Sequence, residues 1–219
     1  MRVVVLASGR GSNLDALLKA ERHGELPARI VGVVSDKTNA AALDIARAAG
    51  IAAIALDPRE HADRAAFDHA LFARIAGIDP DLIVLAGFMR ILDPVAFEPW
   101  LGRIINIHPS LLPRYPGLHT HRRALEAGDT QHGASVHFVT AELDGGPVIA
   151  QATIAITPGD TPTSLAARLL PAEHRLLSAS VALIASGRIA LTPAGAVFYD
   201  HLLTAPLQLA DQNLVIPPA

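Results

Sequence analysis

Short apolar, mostly β-branched runs recur through the first half of the chain, at Val3–Leu6, Ile30–Val34, Ala53–Leu56, Leu82–Leu85 and Ile104–Ile107. Each is too short for a helix and is predicted to be a strand. Longer Ala/Leu-rich segments lie between them and predict helices at Ser12–Arg22, Ala40–Ala49 and Ala62–Ile75. Strand and helix in alternation imply βαβ units. The class is therefore α/β, with a parallel sheet covered on both faces and ligands beyond the carboxyl ends of its strands.

After His108 the pattern changes. A Pro- and Gly-rich loop runs through Gly117, a helix is predicted near His119–Ala127, and two strand-like runs follow, Ala134–Val139 and Val148–Ile156. The turn Glu142–Pro147 joins these runs as an antiparallel hairpin in the C-terminal half. Asp160-Thr161-Pro162 supplies a polar cap and an early proline for a last helix ending near Ala185. From about Leu191 the chain has several prolines and no strong period, so it is expected to drape over the domain or fray. No internal repeat or linker is visible.

Composition narrows the classes further. A chain of 219 residues has room for one sizeable domain, and with 51% hydrophobic and only 18% charged residues it should be compact. The net charge of −3 and the lack of a Lys/Arg stripe argue against a nucleic-acid partner. The longest apolar or glycine run, Ala48–Leu56, is about half of the ~18 residues needed to span a membrane. The first apolar run meets charge again at Arg10, too soon for a secretory signal. Without cysteine there is no disulfide or thiolate chemistry, and a cytoplasmic setting is expected.

Candidate chemistry concentrates at the end of the fifth strand. In Ile104-Ile105-Asn106-Ile107-His108 the period of two puts Asn106 and His108 on one face, and Pro109 ends the strand beside them. Pro113 and Pro116 stiffen the loop that follows. Asp144, flanked by Gly145 and Gly146, can bring a carboxylate close to another element. Together these residues suggest acid–base chemistry. Ser135 and His137 share a face of the next strand and are possible lining residues, although His137 could equally be a core histidine bonded to a backbone carbonyl.

Between the first strand and first helix, Ser8-Gly9-Arg10-Gly11-Ser12-Asn13 can aim backbone N–H groups at an anion, a candidate phosphate nest. It lacks the third glycine of a dinucleotide fingerprint and the Lys-Ser/Thr of a Walker loop. A helix cap at Ser12 would use the same residues. His119-Thr120-His121 does not have the i, i+4 spacing of a helical zinc pair, so no metal is expected.

In order, these motifs resemble the folate-dependent glycinamide ribonucleotide formyltransferases of purine synthesis. The likeness runs from Val3 to about Arg188 through Gly9–Asn13, Leu85–Leu92, Asn106–His121, His132-Gly133 with Ser135–Val139, and Leu143–Ile149. It implies a Rossmann-like formyltransferase fold: a single domain over residues 1–190, with a nucleotide-binding half to about 100 and a folate and catalytic half beyond it, then a tail over 191–219. It implies 10-formyltetrahydrofolate as co-substrate, glycinamide ribonucleotide as acceptor, no required metal, and a monomer or homodimer.

Residue by residue, the resemblance assigns Gly11, Ser12, Asn13 and Glu173 to the nucleotide. Leu170 departs from the polar residue that relatives often carry. Met89, Arg90, Ile91, Leu92 and the turn Thr140-Ala141-Glu142-Leu143-Asp144 fall to the folate, together with Asn106, and with Arg64 near its glutamate tail. Asn106 and protonated His108 would stabilise a tetrahedral oxyanion, and Asp144 should raise the pKa of His108.

Three other readings are open. A formyltetrahydrofolate hydrolase would share the Asn, His and Asp set. A nucleotide-binding regulatory protein would keep only the nest, and a dehydrogenase is suggested by Asp36 after the second strand.

Overall fold

The structure is a computed structural model; it describes residues 1–210 and 213–215. They fall into two compact units that divide after Asn106. The first unit holds β1 (Arg2–Leu6), β2 (Arg29–Ser35), β3 (Ala52–Ala55), β4 (Leu82–Leu85) and the start of β5 (Ile104–His108). They pair in the order β5-β4-β1-β2-β3, every pair parallel. Val3, Val4, Val5 and Leu6 are all fully buried, as expected for a central parallel strand covered on both faces.

Four helices belong to this unit: α1 (Ser12–Arg22), α2 (Ala41–Ala48), α3 (Arg64–Ala76) and the short α4 (Pro94–Phe97). Leu14, Leu17 and Leu18 form the buried stripe of α1, the i, i+3, i+4 spacing that a helix presents to a core. Gly11 precedes it with φ +75°, and a Cβ there would lie 2.8 Å from the Ala42 Cα of α2. Only glycine allows both the left-handed turn and this approach. The third helix starts two residues later than its sequence pattern predicts, because extended Asp63 caps it by accepting the Ala66 N–H at 2.8 Å.

In the second unit α5 (Thr120–Glu126) leads into the hairpin of β6 (Gln131–Phe138) and β7 (Val148–Ala155), followed by the long α6 (Pro162–Ala185). The hairpin is antiparallel from Gln131↔Ala155 to His137↔Val148, with a register shift between Val136 and His137. The sixth strand begins at Gln131 rather than Ala134, since His132 and Gly133, weak strand formers in sequence, are both buried in it. The last helix packs on β6 and β7 through Leu165, Leu169, Leu176, Leu177 and Val181. Its Thr161–Ser164 capping box fixes the start.

The expected draping or fraying tail is corrected by the structure. β8 (Ile189–Thr192), β9 (Gly195–Phe198) and β10 (His201–Leu202) form a three-stranded antiparallel sheet. β11 (Leu207–Ala210) then pairs parallel with β7, and β12 (Asn213–Val215) pairs antiparallel with β11. Backbone pairing to an open strand edge needs no strong hydrophobic period, which is why the pattern understated it. Pro217 and Pro218 lie outside the described residues. Among those described, no helix is long and apolar enough to cross a membrane.

Candidate active site

The fifth strand carries His108 to its end, where the side chain is only 6% exposed. Its Nε2 donates to the Tyr115 carbonyl at 2.9 Å, and its Nδ1 stands 3.4 Å from Asp144 Oδ2. Both ring nitrogens thus face acceptors. A neutral imidazole has one N–H and satisfies one of them; an imidazolium satisfies both. Burial opposes that charge and outweighs the Tyr115 carbonyl and the Asp144 carboxylate, so the His108 pKa lies below its ordinary value. Asp144 does push the imidazole upward as expected, but the net direction is down, because desolvation was not readable in the sequence.

The loop after the strand is built to hold the Tyr115 carbonyl in place. Tyr115 has φ +56°, a conformation that disfavours a side chain by about 1–2 kcal/mol. Its hydroxyl donates to Asp129 at 2.7 Å, and Arg114 pairs with the same carboxylate at 2.6 Å. The Arg114 and Arg123 guanidinium groups both lie over its ring. Ser135 holds the other end of the loop. Fully buried, it donates to the Ser110 carbonyl at 2.7 Å and accepts from the Leu112 N–H and the Gln151 amide. The structure therefore places Ser135 as a loop anchor.

Asp144 sits in the β6–β7 turn with φ +51°. Its Oδ2 accepts the Gly117 N–H at 2.8 Å, and its Oδ1 lies 3.6 Å from His137 Nε2. Burial works to raise its pKa, but His137, the Gly117 amide and His108 together hold it below the usual carboxylate range. His137 donates Nδ1–H to the Phe138 carbonyl at 2.9 Å while its Nε2 faces Asp144. At Gly146 a Cβ would overlap the Phe138 carbonyl oxygen, and glycine is what lets the turn close.

A second histidine pair was missed. His121 Nδ1 meets His132 Nε2 at 2.9 Å. His132 also donates to the Pro109 carbonyl, so in its neutral form it must accept from His121. Burial and the neighbouring imidazole push His132 down to about 4, and burial with nearby His108 lowers His121. Their separation in sequence gave no signal that they meet.

In the first unit, the start of the first helix has no side-chain cap at Gly11, so Ser12 does not cap it and its first amides carry no side-chain partner from that position. Asn13 is buried beside them. Met89 and Ile91 are 69% and 57% exposed, whereas Leu92 is buried. Arg64 is exposed at the start of the third helix. Asp36, which suggested a dehydrogenase, is only 4% exposed. In the second unit, Thr140, Ala141, Glu142 and Leu143 precede Asp144 in its turn, with Leu143 51% exposed. Glu173 and Leu170 are half-buried on the last helix. Among the described residues no His/Cys/Asp/Glu group of three or more could hold a metal ion.

This fold, with a histidine–carboxylate pair at the end of a parallel strand, belongs to the formyl transferases: the family model matches residues 1–181 and the chain is a member of that family. Phosphoribosylglycinamide formyltransferase of Escherichia coli is 48% identical over 86% of this chain and 89% of its own length. The solved phosphoribosylglycinamide formyltransferase of Coxiella burnetii is 41% identical, with a TM-score of 0.88 over 99% of both chains. A formyltetrahydrofolate deformylase of Pseudomonas syringae is more distant, at 26% identity and a TM-score of 0.81 over 91% of this chain and 66% of its own.

Proposed function

We propose that this chain is a phosphoribosylglycinamide formyltransferase. It moves the formyl group of 10-formyltetrahydrofolate to the primary amine of glycinamide ribonucleotide, giving formylglycinamide ribonucleotide and tetrahydrofolate in purine biosynthesis. The observation that carries its chemistry is the His108–Asp144 pair, 3.4 Å apart, with acceptors at both imidazole nitrogens.

The amine attacks the formyl carbon directly. The tetrahedral intermediate then carries a negative oxygen and a positively charged amine nitrogen, and no bond to the enzyme forms. The Asn106 carboxamide donates to the oxygen, a contribution of about 3 kcal/mol where water is excluded. Neutral His108 turns its Nδ1–H to Asp144 and accepts the excess amine proton at Nε2 once the amine replaces the Tyr115 carbonyl there; Asp144 stabilises the resulting imidazolium, and the proton passes from Nε2 to the departing folate nitrogen as the old C–N bond breaks.

The same reading assigns Gly11, Ser12, Asn13 and Glu173 to the nucleotide. Met89–Leu92, Asn106, Thr140–Asp144 and Arg64 fall to the folate. Of Met89–Leu92, the two exposed side chains, Met89 and Ile91, suit a flat ring better than buried Leu92 does. A two-substrate assay tests the proposal. Loss of formyl-folate should require glycinamide ribonucleotide, and equal loss without it would make the chain a hydrolase.

A further inference from the structure

Asp68 is a fully buried carboxyl in the middle of α3, with no part in the chemistry above. Its Oδ2 accepts the backbone N–H of Asp93 at 2.7 Å. Its Oδ1 has no hydrogen-bond partner among the described residues. A buried carboxyl satisfied on one side is a poor choice for packing alone, since polar groups removed from water destabilise unless they are bonded.

The segment that Asp68 grips is the one that exposes Met89 and Ile91. Residues 88–92 alternate: Phe88 and Leu92 are 8% and 7% exposed, while Met89 and Ile91 point outward. Arg90 also turns inward, with its guanidinium 4.5 Å from the ring centroid of Phe67, the residue before Asp68. Residues 88–92 form no strand, so no ladder holds this alternation and it rests on the bonds at its ends.

Two hydrogen bonds fix the register, one at each end. The Ser8 hydroxyl accepts the Met89 N–H at 2.9 Å, and Asp68 accepts that of Asp93. Asp93 in turn caps the fourth helix by accepting the Val95 N–H, so the Asp68 bond ties the segment both to the third helix and to the helix that follows it.

We infer that Asp68 is a positioning residue for the folate: by holding the Asp93 amide it sets the register that presents Met89 and Ile91 to the pterin. This rests on the folate assignment proposed above. The need is for an acceptor more than for charge. Burial raises the Asp68 pKa despite the Asp93 amide and nearby Arg90, so a neutral isostere should serve.

Steady-state kinetics of the full chain test this with three variants. Asp68→Ala should raise KM for formyl-folate on the order of tenfold, with kcat and KM for glycinamide ribonucleotide within about twofold of wild type. Asp68→Asn keeps an acceptor and should restore the folate KM. Asp68→Glu keeps the acceptor but displaces it by a methylene; it should raise the folate KM alone and serves if the alanine variant does not fold. In wild type, hydrogen exchange should show the Asp93 amide protected. An unprotected amide, an unchanged folate KM in Asp68→Ala, or an equal loss in both KM values would overturn the inference. Failure of wild type to bind formyl-folate would instead overturn the folate reading itself.

Discussion

The carboxylate of Asp144 faces two imidazoles, each bonded to a backbone carbonyl through its other nitrogen: His108 has Nδ1 at 3.4 Å from Asp144 Oδ2 and Nε2 on the Tyr115 carbonyl, and His137 has Nε2 at 3.6 Å from Oδ1 and Nδ1 on the Phe138 carbonyl. This geometry favours a second proton on His108 while burial resists it. The pair is poised to take up a proton when charge develops beside it, rather than to hold one permanently.

Asp144→Asn removes the charge but keeps the shape. It should lower kcat by about 10²–10⁴-fold, the usual contribution of acid–base catalysis, and His108→Ala should do the same. In both, KM for formyl-folate should stay within about threefold of wild type, because the loss falls on the transition state. Stopped assays of purified variants check this.

The ligand-free His108 should titrate below the ordinary histidine value of 6.5, because burial disfavours its cation. Asp144 works in the opposite direction, so in Asp144→Asn the titration should move lower still. NMR of the labelled imidazole reads both values. An upward move in the variant would contradict the pair.

Acid should weaken the fold over a defined window. His132 is held down at about 4, and His121 and His108 are also lowered, so the unfolded chain binds more protons than the folded one between about pH 4 and 6.5. Stability contributed by these neutral histidines is present above that window and is lost as pH falls through it. Asp68, raised by burial, opposes the trend. Denaturant melts at pH 7, 5.5 and 4.5 should show a progressive fall, with His132 contributing on the order of 2 kcal/mol. His132→Gln should flatten the slope.

Ser135→Ala should loosen the loop without touching a reacting group. It leaves the Ser110 carbonyl and the Leu112 amide without their side-chain partner, at a cost of about 1–3 kcal/mol. Thermal melting should detect this, and faster amide exchange should appear at Leu112 before anywhere on β1.

Much of the first unit was legible because its strands are continuous apolar runs and its helices have a regular buried stripe, as Val3–Leu6 and Leu14–Leu18 illustrate. The approach of His108 and Asp144 could be anticipated because strand ends and flanking glycines leave marks in sequence. The Tyr115 carbonyl leaves none, since any residue has one. Nothing in the sequence marks Asp68, a polar position within a helix, as buried, and the His121–His132 contact joins a helix to a strand, which local periodicity does not encode. β11 escaped because it is stabilised by pairing along the edge of β7, a property of the folded sheet.

The central claim is that the formyl carbon goes to an amine and not to water. Carbon-labelled formyl-folate, followed by NMR with the wild-type protein, separates these fates. The account predicts that all of the transferred label appears in the formamide of the nucleotide product and that none moves when glycinamide ribonucleotide is omitted. Label accumulating as formate at the same rate with or without the nucleotide would contradict it.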